Sequence, residues 1–278
     1  MHKSEDSSLE VEKLDFSSLV GIVREPNMCS GGRETIRRII IEGNIAPDSK
    51  ILEVGSNTGF SSIEFANVLP NSKVIGIDIN KQSVEFSKQK AKKYLVNNVE
   101  FIHSDARNLP FEDNSFDVVF VSNVTSFINE KETAIKEYLR VLRPGGMFVT
   151  APIYYRNIPS SKMINEVELA INAKLDIQKK EDWKRLFLKK ELFLYHESDY
   201  EYIKSSDKEI NEYVEMVMSQ KHLNKYTKET RNELSERLKY FYTLFDENLS
   251  FAGFSILIYK YKDANNIPVL HKTKKLKS

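Results

Sequence analysis

The most chemically suggestive stretch of the 278-residue chain is Glu53-Val54-Gly55-Ser56-Asn57-Thr58-Gly59-Phe60. It follows a short apolar run, ILEV at 51–54, and opens onto a helical pattern. Gly55 and Gly59 permit a tight turn and let a ligand approach bare backbone. In an open parallel sheet such a strand-to-helix turn sits at the carboxyl edge, where ligands bind. A dinucleotide site needs G-x-G-x-x-G, which sets amides and a helix N-terminus on a pyrophosphate. Here Asn57 and Phe60 occupy the second and third glycine positions, so that fingerprint fails. The acid before the turn suits a cation instead, because the Glu53 carboxylate can meet an ammonium group. Asp78 closes the next apolar run in Gly76-Ile77-Asp78-Ile79. A carboxylate there can accept two hydrogen bonds from vicinal hydroxyls, as on a ribose. Ser104-Asp105-Ala106 then follows a third run.

Positioning these residues takes a particular set of elements. Apolar runs at 51–54, 73–78, 99–103, 116–121 and 147–152 read as strands buried on both faces of a parallel sheet. Helical patterns separate them. One begins at 30–43, before the first strand, and one runs from an Asn80 cap to Tyr94. Another runs from about Asn129 to Leu142, stopped by an Arg143-Pro144-Gly145-Gly146 turn that neither helix nor strand should continue through. Strand–helix alternation of this kind means right-handed crossovers and a doubly wound sheet. Beyond Pro159 the character changes: residues 160 to 252 contain no glycine and no proline. Helices are expected at 161–174, 181–190, 207–220 and 228–246, with a possible strand at 191–197 and an alternating strand at 254–261.

With Phe116-Asp117-Val118-Val119 and Leu142-Arg143-Pro144-Gly145-Gly146 added, this series resembles the class I S-adenosylmethionine-dependent methyltransferases. The resemblance covers residues 45–152 in detail and 254–261 more loosely. It looks most like the small-molecule branch, near the ubiquinone/menaquinone-type and natural-product enzymes. It implies an α/β fold: a Rossmann-like, doubly wound, mostly parallel seven-stranded sheet with an antiparallel last strand and a helical lid insertion. It implies S-adenosyl-L-methionine as cofactor, held by Glu53, Gly55, Ser56, Asn57, Gly59, Asp78, Ile79, Asp105, Ala106, Ser122 and Asn123. Within that set Asp78 would take the ribose, and Asp105 would lie beside the adenine amino group. Many relatives carry cysteine and glycine in the middle of the first motif, where this chain has Ser56-Asn57-Thr58. Relatives also fold a segment like Val23–Cys29 over the methionine end, where Arg24 or Arg33 would pair with its carboxylate. The implied organisation is a helical cap segment at 1–44, the cofactor-binding core at 45–152, a mostly helical lid at 153–250, the closing strand within 251–264 and a basic tail at 265–278.

The methyl acceptor is narrowed by absences. Enzymes that methylate nucleobase or glutamine nitrogens usually carry Asp/Asn-Pro-Pro-Tyr after the fourth strand; here the stretch is Ser122-Asn123-Val124-Thr125. Catechol-type enzymes place a metal-binding acid in the same region, and none stands there, so no metal is expected. Most of the 13 tyrosines, with Trp183, Phe187, Phe193, Phe241 and Phe245, fall in the lid. Such a lid suits a small apolar or aromatic acceptor, methylated on O, N or C, in quinone or secondary metabolism. Tyr154, Tyr155 and His196 are the candidates for a catalytic role on that side.

The totals exclude other classes. Net charge is +1, from 41 Lys+Arg against 40 Asp+Glu, which is no footprint for nucleic acid. One cysteine, Cys29, rules out a disulfide scaffold or a thiolate zinc cluster. No apolar run is long enough to span a membrane, and the polar first residues are unlike a signal peptide. A cytoplasmic monomer or homodimer is expected. The alternatives are a non-catalytic nucleoside-binding module, a protein or RNA methyltransferase, a different use of the sulfonium and, last, a nicotinamide oxidoreductase.

Overall fold

A computed structural model describes residues 9–262. The expected basic tail at 265–278 lies outside them, as do the last residues of the 251–264 segment. Two helices precede the sheet, α1 (Phe16–Val23) and α2 (Gly32–Gly43). The next elements alternate: β1 (Lys50–Val54), α3 (Phe60–Val68), β2 (Lys73–Asp78), α4 (Lys81–Lys93), β3 (Val99–His103), β4 (Phe116–Val121), α5 (Lys131–Val141) and β5 (Leu142–Thr150). There follow β6 (Ile153–Tyr155), α6 (Ser161–Ile171), α7 (Lys180–Phe187), β7 (Leu192–Glu201), α8 (Asp207–Met218), α9 (Lys228–Leu249) and β8 (Ala252–Tyr261).

The sheet order is β3-β2-β1-β4-β5-β8-β6, with β7 along the other side of β8. The first five strands are parallel; β8 runs antiparallel to β5, with Thr150 opposite Leu257. The doubly wound sheet with an antiparallel closing strand is as expected, but it has eight strands where seven were expected. Pro152 has no N–H for the ladder, so the chain leaves β8 after Thr150 and rejoins it as β6. The Arg143–Gly146 turn also differs from expectation. It falls inside β5, because Leu142 already pairs with Phe116 and the register shifts before Val118 meets Met147.

Strand alternation builds two cores. Leu52, Val54, Val119, Val121 and Phe148 face α5 and α7, where Trp183 and Phe187 stack at 5.6 Å. Ile51, Val74, Val118, Phe120 and Val149 face α2 and α3. Trp183, expected in the lid, belongs to the sheet: its indole N–H donates to Ile153 O at 2.9 Å. A third apolar cluster joins α1, α6, α8 and α9, with Phe16 edge-on to Phe241 and Phe245. The 22-residue α9 starts at a Thr227 cap and carries Leu234, Leu238 and Phe241 along its buried stripe. On the outer strand β7, Lys180 and Lys184 of α7 pair with Glu197, and Lys180 also reaches Asp199. No helix of the described residues is long and apolar enough to cross a membrane.

Candidate functional site

The carboxyl ends of β1, β2 and β3 and the segment after β4 enclose a cleft of about 290 Å³. Gly55, Asp78, Ile79, Asp105 and Ala106, five of the residues expected to hold the cofactor, line it. Arg107, Val124, Phe127, Ile128 and Asn129 complete it, and these were not anticipated. Phe127 ends, and Ile128 follows, a short 3-10 turn just past Ser122 and Asn123 that no helical periodicity announces.

Asp78 is held by backbone. Its Oδ2 accepts from Asn57 N and its Oδ1 from Asn80 N, each at 2.8 Å. Both oxygens keep a lone pair for a ligand. The amides of Gly55 and Ser56 donate to Ile77 O at 2.9 and 2.8 Å. Three consecutive amides of the turn are therefore spent on β2 and Asp78, and a ligand meets the turn's other atoms. Gly55 has φ +76°, and a β-carbon on it would lie 2.6 Å from Val124. Gly59, at φ +78°, stands before α3 where a β-carbon would strike Phe101 and Ser87. Gly55 thus lets the turn pack on Val124 in the cleft wall, whereas Gly59 serves helix-to-strand packing. The buried Ser56 hydroxyl has no hydrogen-bond partner. At the cleft's far end Asp105 is half-buried and paired with Arg107 at 2.7 Å, which holds its carboxyl below the usual range. Arg107 also bonds Glu130.

Glu53 does not line the cleft. Its neighbours on β1, Leu52 and Val54, face α5, so its own side chain points to the opposite face. There it is 3% exposed and accepts from the Ser62 hydroxyl of α3. Burial pushes its carboxyl up to about 7, against the lowering effect of hydrogen bonds from Ser62 and Ser61. Cys29 is close enough to feel Glu53, and burial raises its thiol to about 12.

Other expected residues lie elsewhere. Ser122 and Asn123 do not line the cleft. The Asn123 side chain instead accepts from Ile153 N at 3.1 Å, tying the end of β4 to β6. Tyr154 and Tyr155 are buried on β6, opposite Gly253 and Ala252. Tyr155 shares hydrogen bonds with Asn248 of α9, and burial raises its hydroxyl. His196 sits on β7 opposite Ile258, at the sheet margin beyond β8, between Ser198 at 2.6 Å and Glu42 at 3.5 Å. Arg33 pairs with Glu64 at 3.1 Å. Arg24 caps α1 in the left-handed region, and its guanidinium lies 5.5 Å from the centre of the Phe86 ring. Among the described residues no group of three or more His, Cys, Asp or Glu is gathered for a metal.

One residue of this neighbourhood went unnoticed in the sequence. Glu25, 4% exposed, accepts from Tyr213 Oη and from Asn27 N, both at 2.5 Å. Desolvation raises its carboxyl despite those bonds and the nearby Lys90. The hydroxyl of Thr58, in the glycine turn, donates to Pro26 O at 2.6 Å. The segment after α1 thus bridges the turn and α8. Its only signal in the sequence is position, inside Val23–Cys29.

Comparisons agree with this geometry. A family model described as a methyltransferase domain matches residues 45–231. The demethylmenaquinone methyltransferase of Staphylococcus saprophyticus is 36% identical over 114 residues, 41% of this chain and 48% of that protein. The ubiquinone/menaquinone biosynthesis C-methyltransferase of Ectopseudomonas mendocina is 34% identical over 124 residues, 43% of this chain and 48% of that protein. The chain thus spans about half the length of these curated relatives. The crystal structure of the MccD protein superimposes with a TM-score of 0.70 at 28% identity, covering 85% of this chain and 100% of that one. A geranyl diphosphate methyltransferase in complex with SAM shares the fold at 15% identity, with a TM-score of 0.57 over 83% of this chain and 85% of that one. With 45–231 matched from β1 into α9, the chain belongs to the methyltransferase-domain family.

Proposed function

We propose that the protein methylates a small apolar or aromatic molecule on O, N or C, using S-adenosyl-L-methionine. The observation that carries this reading is Asp78, fixed by two backbone amides with free lone pairs at the wall of the cleft. The residues present fit the cofactor. Asp78 would accept from its ribose hydroxyls, Asp105 and Ala106 would flank its adenine, and the unpartnered Ser56 hydroxyl is a buried polar atom left for a ligand. When bound, the cofactor would supply an electrophilic methyl group on a sulfonium.

The chain's own part is to bind, orient and exclude water. Val54, Val124 and Ile128 give the cleft an apolar part of its wall. Glu53 would offer charge to the amino-acid end of the cofactor from across the Gly55 turn. A cation there favours its ionised form, so binding would release a proton near pH 7.

Calorimetry with S-adenosylmethionine and with its demethylated product tests the cofactor. Micromolar binding of both is expected; no heat and no thermal shift with either would end the proposal. Transfer of a labelled methyl group into cell extract, followed by identification of the product, tests the acceptor class.

A further inference from the structure

A second pocket opens beside the cleft, on the far side of the Asp78–Asn80 segment. It encloses about 530 Å³ between α1, the start of α4 and the turn at Lys221–Lys225. Arg24, His222 and Lys225 reach into its wall, and no carboxylate lines it. Among the described residues no ion pair engages Arg24 or His222, whereas Arg33, its counterpart on α2, is neutralised by Glu64.

The positions of Arg24, His222 and Lys225 are built, not scattered. Gln220 Nε2 donates to Val23 O at 2.7 Å, and His222 Nε2 donates to Ile22 O at 3.0 Å. These bonds pin the carbonyl end of α1 and hold Arg24 in its left-handed cap. Lys225 Nζ lies 4.9 Å from the centre of the Tyr226 ring, on the same wall. Burial, then the charges of Arg24, Lys225 and Lys93, hold His222 below its ordinary value, although the Ile22 carbonyl acts the other way. The surrounding positive charge thus adds to the effect of burial on His222. Opposite stands the N-terminus of α4, whose first turn has no acid. That terminus adds partial positive charge of its own.

We infer that this pocket binds the phosphate group of an organic phosphate ester. The cavity is far larger than a phosphate ion alone, and Ile22, Gly21 and the Tyr226 ring give it an apolar side for the ester's organic part. Because Asn80 belongs to this pocket and its amide holds Asp78, the two sites share one wall. Given the methyltransferase reading above, on which this further step rests, the ester is the methyl acceptor, with its phosphate anchored on Arg24 and Lys225 beside the cofactor cleft.

The test titrates inorganic phosphate and phenyl phosphate into the full chain without cofactor, following the His222 ring by NMR, assigned through H222Q. Saturable binding is expected, with the His222 pKa rising as the anion neutralises its neighbours. Phenyl phosphate should bind at least tenfold tighter than inorganic phosphate. R24Q/K225Q should weaken phenyl phosphate binding at least tenfold, and K225Q alone at least threefold, while calorimetry on K225Q shows S-adenosylmethionine affinity within twofold of wild type. Absence of a saturable His222 shift, or unchanged affinity in R24Q/K225Q, overturns the site. Inorganic phosphate binding as tightly as phenyl phosphate overturns the ester. The anion titrations contain no cofactor, so they succeed or fail independently of cofactor binding.

Discussion

The hydroxyl of Tyr213 on α8 donates to the buried carboxylate of Glu25 at 2.5 Å, joining residues 188 positions apart. Tyr242 of α9 crowds the same carboxylate, and burial, then the charge of Glu25, push the hydroxyls of both tyrosines well above the ordinary range. Tyr213→Phe leaves the Glu25 carboxylate short of a donor in a buried site. We expect a loss of about 1–2 kcal/mol in urea unfolding. A change under a few tenths would mean that α8 is held without this bond.

Asp78→Asn keeps a side-chain oxygen for one of the two amides but removes the charge and one acceptor. The fold should survive with a small drop in Tm. Affinity for S-adenosylmethionine should fall at least tenfold, about 1.4 kcal/mol. Retained affinity in calorimetry would remove Asp78 from the ribose.

Glu53 gives a pH signature. Its folded value of about 7 lies above the ordinary 4.5, so between these pH values the folded chain keeps a proton that the unfolded chain has lost. Its contribution is fully present below about pH 4.5 and is lost as pH rises through 7, on the order of 3 kcal/mol. Glu53→Gln should flatten that slope in denaturation curves from pH 4.5 to 8. An equally steep slope in the variant would locate the titration elsewhere.

Gly55→Ala meets two penalties, a left-handed backbone and a β-carbon 2.6 Å from Val124. The first costs about 1–2 kcal/mol and cannot be relieved by a neighbour. The second can, so Val124→Ala should recover part of the loss. A double-mutant cycle measures this coupling; strict additivity would refute the packing account.

These positions were unequally legible in the sequence. Asp78, Gly55 and Asp105 could be read because each ends an apolar run, and the carboxyl edge of a parallel sheet gathers strand ends. The five parallel strands were legible for the same reason. β7 was only half visible, since its second half, His196–Glu201, is polar and alternates against one neighbour. α1 was missed because Ser17, Ser18 and Gly21 are weak helix formers; its stability comes from Leu19, Val20 and Val23 packing against other elements. Glu25 with Tyr213, and Arg24 with His222, could not be seen at all. Each pairing is made by tertiary contact across most of the chain, and no local spacing encodes it.

The outer strand β7 also limits how copies of this chain can meet. A sheet margin with free amides and carbonyls is a template for strand addition by another molecule. On β7 the register shifts between Leu194 and His196, and the following residues carry Glu197 and Asp199, clasped by lysines of α7. A bulge and anchored charge at that margin make it a poor partner for a second sheet. Strand addition by another molecule is thereby disfavoured along β7.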